Sequence, residues 1–254
     1  MEGLEALTFD VFGTLVDWRH SIAAEALRFL GEEKGYDRDW NAFALVWRGY
    51  YQPAMERVRA GSRDFVKLDV LHRENLLKVL DDFSIDTLTE SEVDHLNHAW
   101  HRLDPWPDVV AGMTRLRARY PLAALSNGNV ALIMNMARRA GLSWEAILGG
   151  DVARAYKPMP AAYVSAADMM GLEPSSLALV AAHNDDLKAA ASVGFKTIFV
   201  VRRTEYADVG QITDQEAWDG ADLAAENLED LADQLNCPQA ATLRPDTGRD
   251  NTEA

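Results

Sequence analysis

The order in which hydrophobic periodicity changes along this chain constrains its fold more than any single residue does. Residues 4–12, LEALTFDVF, are a short apolar run that stops at Gly13, the pattern of a buried strand. From residue 20 to 103 no further strand signal appears. Helical spacing of apolar positions runs through 20–33, 38–60, 63–83 and 89–103, and Thr89 with Glu92 makes a capping box for the last of these. Beyond Asp104-Pro105-Trp106-Pro107, which reads as a stiff linker, the pattern alternates. Helices are predicted at 108–119, 129–140, 159–171 and 185–193, and strands at 121–126, 146–149, 176–181 and 196–201. Alternating strands and helices with short connections predict an α/β protein with a parallel, doubly wound sheet.

A helical block therefore interrupts an α/β domain directly after its first strand. The expected division is a core of residues 1–17 and 103–235, a helical cap of residues 18–102 and a flexible C-terminal tail of residues 236–254. An insertion at that point lies over the carboxyl edge of the sheet, where open α/β folds bind ligands. The tail carries two prolines and one large aliphatic residue, Leu243, too little to pack.

The net charge of −15 repels phosphate backbones and anionic membranes, so neither nucleic acid nor a membrane surface is an expected partner. The same field repels a small anionic substrate, which needs cations placed close to it. Cys237 is the single cysteine and can form neither an intramolecular disulfide nor a multi-cysteine zinc site. No basic segment leading into a long apolar run opens the chain, and one of the longer apolar runs, 177–182, falls far short of the roughly 20 residues that span a bilayer. A cytoplasmic protein is expected.

Four segments carry chemistry. The first strand ends in Asp10-Val11-Phe12-Gly13-Thr14, and Leu125-Ser126-Asn127-Gly128 closes the strand at 121–126. Tyr156-Lys157-Pro158 precedes the helix at 159–171, and His183-Asn184-Asp185-Asp186 follows the strand at 176–181. Each has an ordinary reading: Asp before Gly and Ser before Asn-Gly are common turn chemistry, and a single lysine in a loop is usually solvated. Parallel strands, however, bring all four segments to one edge, which then holds a carboxylate, a hydroxyl, an ammonium and an acidic pair. That constellation is far more specific than any of its members.

In the order and spacing of these segments, over about residues 5–203, the chain resembles the haloacid dehalogenase superfamily. The form DVFGTLVDW, the phrase LSNG and the helical insertion resemble its type II L-2-haloacid dehalogenases. The resemblance implies a Rossmann-like core with a helical cap, and hydrolysis of (S)-2-haloacids or haloacetates to 2-hydroxyacids through a covalent aspartyl ester. By motif, Asp10 is the nucleophile, Thr14 its positioning partner, Ser126 the hydroxyl near the substrate and Lys157 the cation steadying Asp10. Backbone amides near Val11, Phe12 and Asn127 are expected to hold the substrate carboxylate with Ser126. In the insertion, VWRGYYQ at 46–52 matches the segment in which this group carries an arginine, so Arg48 is expected to receive the halide. The implied partners are a small anionic haloacid and its halide product, with no cofactor and no metal; the resemblance also allows a homodimer.

Departures from the superfamily pattern decide between its subclasses. Its phosphatases place a second Asp two residues after the nucleophile to protonate the leaving alcohol, and another at the end of the fourth strand to help hold Mg²⁺. Here those positions carry Phe12 and the pair Ala181-Ala182. A halide leaves without a proton, so both losses favour metal-free carbon–halogen cleavage. The alternatives are a Mg²⁺-dependent small-molecule phosphatase of the same superfamily and a non-catalytic binding member. His183 stands where the dehalogenases tend to carry Asn; with an ordinary pKa of about 6.5 it is expected, together with Asp186, to activate the hydrolytic water. His95, His98 and His101 recur every third residue in the last cap helix and read as a solvated face.

Overall fold

The computed structural model describes residues 1–206 and 213–239. Its centre is a six-stranded parallel sheet of β1 (Ala6–Phe9), β4 (Leu122–Ser126), β5 (Ala146–Gly149), β6 (Leu177–Ala181), β7 (Lys196–Val200) and β8 (Leu223–Ala225), in the spatial order β5-β4-β1-β6-β7-β8. The chain builds outward from β1 to one side and then returns to build the other side, so β1 marks the topological switch.

Side chains in the central strands alternate between two buried cores. Leu7, Phe9, Leu122, Ala124, Ala178 and Val180 pack into one. Ala6, Ala123, Leu125, Leu177, Leu179 and Ala181 pack into the other. A sheet covered on both faces tolerates the near-continuous apolar runs seen in the sequence. The covering helices are α6 (Val109–Arg117), α7 (Val130–Ala140), the short α8 (Gly150–Ala153), α9 (Pro160–Met170), α10 (Asn184–Ser192) and α11 (Leu228–Gln234).

Between β1 and α6 the chain is helical: α1 (Trp18–Ala26) running into a π-helical segment (Leu27–Glu33), then α2 (Trp40–Gly49), α3 (Tyr51–Arg59), α4 (Leu68–Asp82), α5 (Glu90–Asn97) and a 3₁₀ turn (His98–His101). Where the chain leaves and rejoins the core, β2 (Val16–Asp17) pairs antiparallel with β3 (Asp104–Pro105). The segment expected to be a stiff linker is thus one strand of a two-stranded ribbon that holds entry and exit side by side. The Thr89 capping box forms as the sequence predicts.

Some boundaries differ from the sequence reading, each for a local reason. The helix expected over 38–60 breaks at Tyr50 into α2 and α3, because Pro53 has no N–H to give the Gly49 carbonyl one turn back. The ordered strand β1 stops at Phe9, although the Asp10 N–H still donates to the Val180 carbonyl at 3.0 Å. Strand β8 and helix α11 were not anticipated, since three residues of strand and seven of helix are too short for periodicity to register. The beginning of the expected tail is tied down. Arg115 Nε donates to the Pro238 carbonyl (3.1 Å) and Arg119 Nη1 to the Asn236 carbonyl (3.2 Å), so the first residues of that stretch are held to the core. The rest of that tail lies outside the described residues. Among the described residues no helix is long and apolar enough to cross a membrane.

Candidate active site

Asp10 extends from the carboxyl end of β1 with 7% of its surface exposed. A carboxylate so buried is costly unless it is paired and hydrogen-bonded, and here both oxygens are engaged. Lys157 Nζ donates to Oδ1 at 2.9 Å; Thr14 Oγ1 donates to Oδ2 at 2.8 Å, and the His183 Nδ1–H to Oδ2 at 3.2 Å. Burial pushes the Asp10 pKa up, but Lys157 and then His183 outweigh it and hold the carboxyl well below the usual carboxylate range. Thr14 also accepts the Ala182 N–H at 2.9 Å, which joins the loops after β1 and β6.

Lys157 sits between two carboxylates. Its Nζ also donates to Asp186 Oδ2 at 2.5 Å, and its backbone N–H donates to Asn127 Oδ1 at 2.6 Å, which fixes the loop that carries it. Burial favours the neutral amine, but attraction to Asp10 and Asp186 prevails and the Lys157 pKa is raised. Asp186, at the start of α10, receives the Tyr163 hydroxyl on Oδ1 at 2.5 Å; burial raises its pKa. Tyr163 projects from α9, and the sequence reading did not single it out.

His183 bridges Asp10 and a residue that the sequence reading missed. Its Nε2–H donates to Glu205 Oε2 at 3.0 Å, and Trp18 Nε1 donates to Glu205 Oε1 at 2.8 Å. His183 and Asp186, expected to act on the water together, have different partners: Asp186 is hydrogen-bonded to Lys157 and Tyr163, and His183 to Asp10 and Glu205. Burial disfavours the imidazolium, yet Glu205 and Asp10 together raise the His183 pKa well above its ordinary value. Burial raises the Glu205 pKa and His183 lowers it further, for a net depression. Gly13 makes this approach possible. At φ +83° it occupies the left-handed region, and a Cβ there would lie 2.2 Å from Glu205 Oε1. Glu205 follows β7, so the strand-end rule that singled out Asp10 and His183 also reaches it.

These groups open onto a cavity of about 270 Å³ whose wall includes Asp10, Phe12, Arg48, Asn127, Lys157 and His183. Arg48, in the last turn of α2, faces the sheet edge across that cavity, with its guanidinium 4.1 Å from the Tyr51 ring centre, 5.3 Å from Trp18 and 5.9 Å from Phe12. Of the expected site residues, Val11, Thr14 and Ser126 lie off the cavity wall. Thr14 acts through Asp10, the Val11 side chain belongs to the core, and Ser126 Oγ accepts the Gly128 N–H at 3.1 Å.

The histidine row at 95, 98 and 101 is not a uniformly solvated face. His101 is buried; its Nε2–H donates to Asp69 Oδ1 at 2.9 Å and its Nδ1 accepts from Asn135 at 3.0 Å. Asp69 in turn receives Asn129 Nδ2 at 2.9 Å, so this network ties α4 to the start of α7 beside the 126–128 turn.

The arrangement offers an ionised, immobilised carboxylate, a buried ammonium, an imidazole anchored from behind and a guanidinium across the cavity from the carboxylate. The model of the haloacid dehalogenase-like hydrolases matches residues 4–194. A solved defluorinating L-2-haloacid dehalogenase superposes with a TM-score of 0.89 at 43% identity, covering 92% of this chain and 96% of that one. A second L-2-haloacid dehalogenase structure gives 0.87 at 45% identity, covering 92% and 99%. Haloacetate dehalogenase H-2 of Moraxella sp. (strain B) is 28% identical over 220 residues, 84% of this chain and 93% of that protein.

Proposed function

The chain belongs to the haloacid dehalogenase-like hydrolases, and from that premise we propose that it is an (S)-2-haloacid dehalogenase that also accepts haloacetates and works through a covalent ester on Asp10. The observation that carries this reading is the pairing of an ionised Asp10, held by Lys157 and Thr14, with Phe12 two residues on, where a phosphatase needs a proton donor.

In the first half-reaction an Asp10 oxygen attacks the carbon bearing the halogen in line. The new C–O bond forms as the C–X bond breaks, and the halide leaves with its electron pair toward Arg48. Lys157 and Thr14 keep the nucleophile ionised and oriented, which lowers the entropic part of the barrier. Amides near Phe12 and Asn127 hold the substrate carboxylate. Backside attack inverts the carbon, so an (S)-2-haloacid gives an (R)-2-hydroxyacid.

In the second half-reaction the charge balance around His183 changes. Esterified Asp10 is neutral, the attraction that held the His183 proton weakens, and that proton is released to solvent. Glu205 still accepts from Nε2, which leaves Nδ1 as the base facing the ester. Nδ1 takes a proton from water as the water oxygen attacks the Asp10 carbonyl carbon. Collapse passes that proton to the departing alkoxide, and the Asp10 carboxylic acid so formed gives the second water proton to Nδ1, which restores the His183 imidazolium and the Asp10 carboxylate, one oxygen of which now comes from water.

The donor set does not fit a Mg²⁺-dependent phosphatase. Ala181 and Ala182 stand at the end of β6, and Asp10 and Asp186 already share the Lys157 ammonium. An idle binding module gives no reason for burying this reactive set. A reducing, cytoplasmic setting accords with the lone, buried Cys237, and a homodimer accords with the family resemblance. Halide release from chloroacetate, fluoroacetate and both 2-chloropropionate enantiomers, with and without EDTA, tests the proposal. Release that prefers the S enantiomer and ignores EDTA is expected; phosphate release from phosphomonoesters that EDTA abolishes would overturn it.

A further inference from the structure

Asn129 opens α7 with the extended backbone of an N-cap residue, yet its side chain does not cap that helix. An asparagine so placed ordinarily accepts an N–H from the first turn of its own helix. Here Asp151 of α8 serves that helix end, accepting the Val130 N–H at 2.9 Å. The buried Asn129 amide turns to the insertion instead. Its Oδ1 accepts the Asp69 backbone N–H at 3.2 Å and its Nδ2 donates to Asp69 Oδ2 at 2.9 Å, so one side chain grips the first turn of α4 twice. Asp69 Oδ1 accepts from His101, whose Nδ1 accepts from Asn135, which closes a loop of hydrogen bonds that starts and ends on α7. Burial raises the Asp69 pKa, but the hydrogen bonds from His101 and Asn129 outweigh it and keep the carboxyl below its ordinary value. Two residues before Asn129, Asn127 lines the cavity, and its Oδ1 accepts the Lys157 N–H. On the sheet side the Gly150 N–H donates to the Gly128 carbonyl at 3.1 Å, so the turn between Asn127 and Asn129 is held from both sides.

Resting on the carboxylate-binding role given above to the amide near Asn127, we propose that Asp69 is a positioning residue. Through Asn129 it latches the insertion to the 126–129 turn, seats that turn against the cavity and so raises affinity for the haloacid carboxylate. Asp69 does not line the cavity. The bonds made and broken on Asp10 are therefore untouched, and the effect falls on binding, which ground state and transition state share. Linkage makes the coupling reciprocal. If the closed latch strengthens substrate binding, bound substrate strengthens the latch by the same factor, and the substrate itself draws the insertion onto the core. The spent cap is the mark of this role: Asn129 gives up its own helix, where Asp151 replaces it, and its amide is left to join two parts of the molecule.

The test measures kcat and KM for chloroacetate, together with unfolding midpoints, in Asn129→Ala, Asp69→Ala and the double variant. Each single variant should raise KM roughly fivefold or more, with kcat within about twofold of wild type, the pattern of lost uniform binding. The double variant should be no worse than the worse single one, because both remove the same contact. A KM within about twofold of wild type overturns the inference, even where kcat or the unfolding midpoint falls. Two KM increases that multiply in the double variant overturn it too. A second measurement needs no variant. In the wild-type protein, hydrogen exchange at the Asp69 amide, which Asn129 protects, should slow roughly fivefold or more once glycolate, the hydroxyacid product of haloacetates, saturates the site as judged by inhibition of halide release. Unchanged exchange overturns the inference. Failure of the underlying dehalogenase reading looks different: wild-type protein would release no halide even from bromoacetate.

Discussion

The two walls of the cavity differ in how their polar groups are satisfied. On the sheet side, Asp10, Lys157, Asp186, Tyr163 and His183 form one continuous set of hydrogen bonds, and each carboxylate faces a cation. On the insertion side Arg48 lines the cavity, and the donors Arg48 Nη1 and, behind Phe12 and Tyr51, His72 and Trp100 find no acceptor among the described residues. A nucleophile has to be in place before substrate arrives, so its wall is complete in itself. On the proposed reading the wall that carries Arg48 is left incomplete, because the halide that completes it exists only after the bond has broken. The net charge of −15 sharpens the contrast. In so acidic a protein, an anionic substrate depends on Lys157 and Arg48, one on each wall.

The largest expected effect comes from breaking the complete wall at its centre. Asp10→Asn replaces a carboxylate by a far weaker nucleophile, and halide release should fall by about 10⁴-fold or more. Near-wild-type halide release in that variant would remove Asp10 from the role. Lys157→Met leaves Asp186 buried without a counter-charge and Asp10 with His183 alone. Breaking such a pair costs roughly 3–5 kcal/mol, so this variant should unfold at clearly lower denaturant and need a higher pH for activity, because unpaired carboxylates ionise later. Unfolding at the wild-type midpoint would contradict the pairing.

Glu205→Gln sharpens the division of labour within the sheet-side wall, because it weakens the second half-reaction and spares the first. A burst of about one halide per enzyme should precede a steady state slowed by roughly 10²-fold or more. Absence of the burst, with both phases slowed equally, would place Glu205 elsewhere. The same variant has a signature in stability. The folded His183 pKa is raised, so its imidazolium contributes stability that is fully present below about pH 6.5 and lost as pH rises through the folded value. Glu205→Gln should flatten that decline in unfolding experiments from neutral to alkaline pH; an unchanged slope would contradict it.

The smallest effect belongs far from either wall. Thr89→Ala removes the capping box of α5 and should cost about 1 kcal/mol in unfolding free energy, with kcat/KM unaltered. A changed kcat/KM would mean that α5 is coupled to the site.

Much of the sheet-side wall was legible in the sequence, and little of the opposite one. Asp10, Lys157 and His183 lie at or just beyond the carboxyl ends of strands, and parallel pairing brings such positions together from sequence order alone. Glu205 obeys the same rule after β7, yet within RRTEY it looks like one more solvated charge; its partner Trp18 lies 187 positions away in sequence. Tyr163 has the spacing of a core residue on α9 because most of its ring is one, and only its hydroxyl reaches Asp186. His72 and Trp100 fall on different helical segments, α4 and the 3₁₀ turn, and periodicity marks both as buried without saying that they stack. The break at Tyr50, by contrast, was available in advance from Pro53.

The central claim is that Asp10 becomes an ester and that water attacks the enzyme and not the substrate carbon. A single turnover with excess enzyme in ¹⁸O-water, followed by mass spectrometry of the Asp10 peptide and of the 2-hydroxyacid, reads this directly. The account predicts one ¹⁸O in Asp10 and an unlabelled first product; label in the first product with Asp10 unlabelled would contradict it.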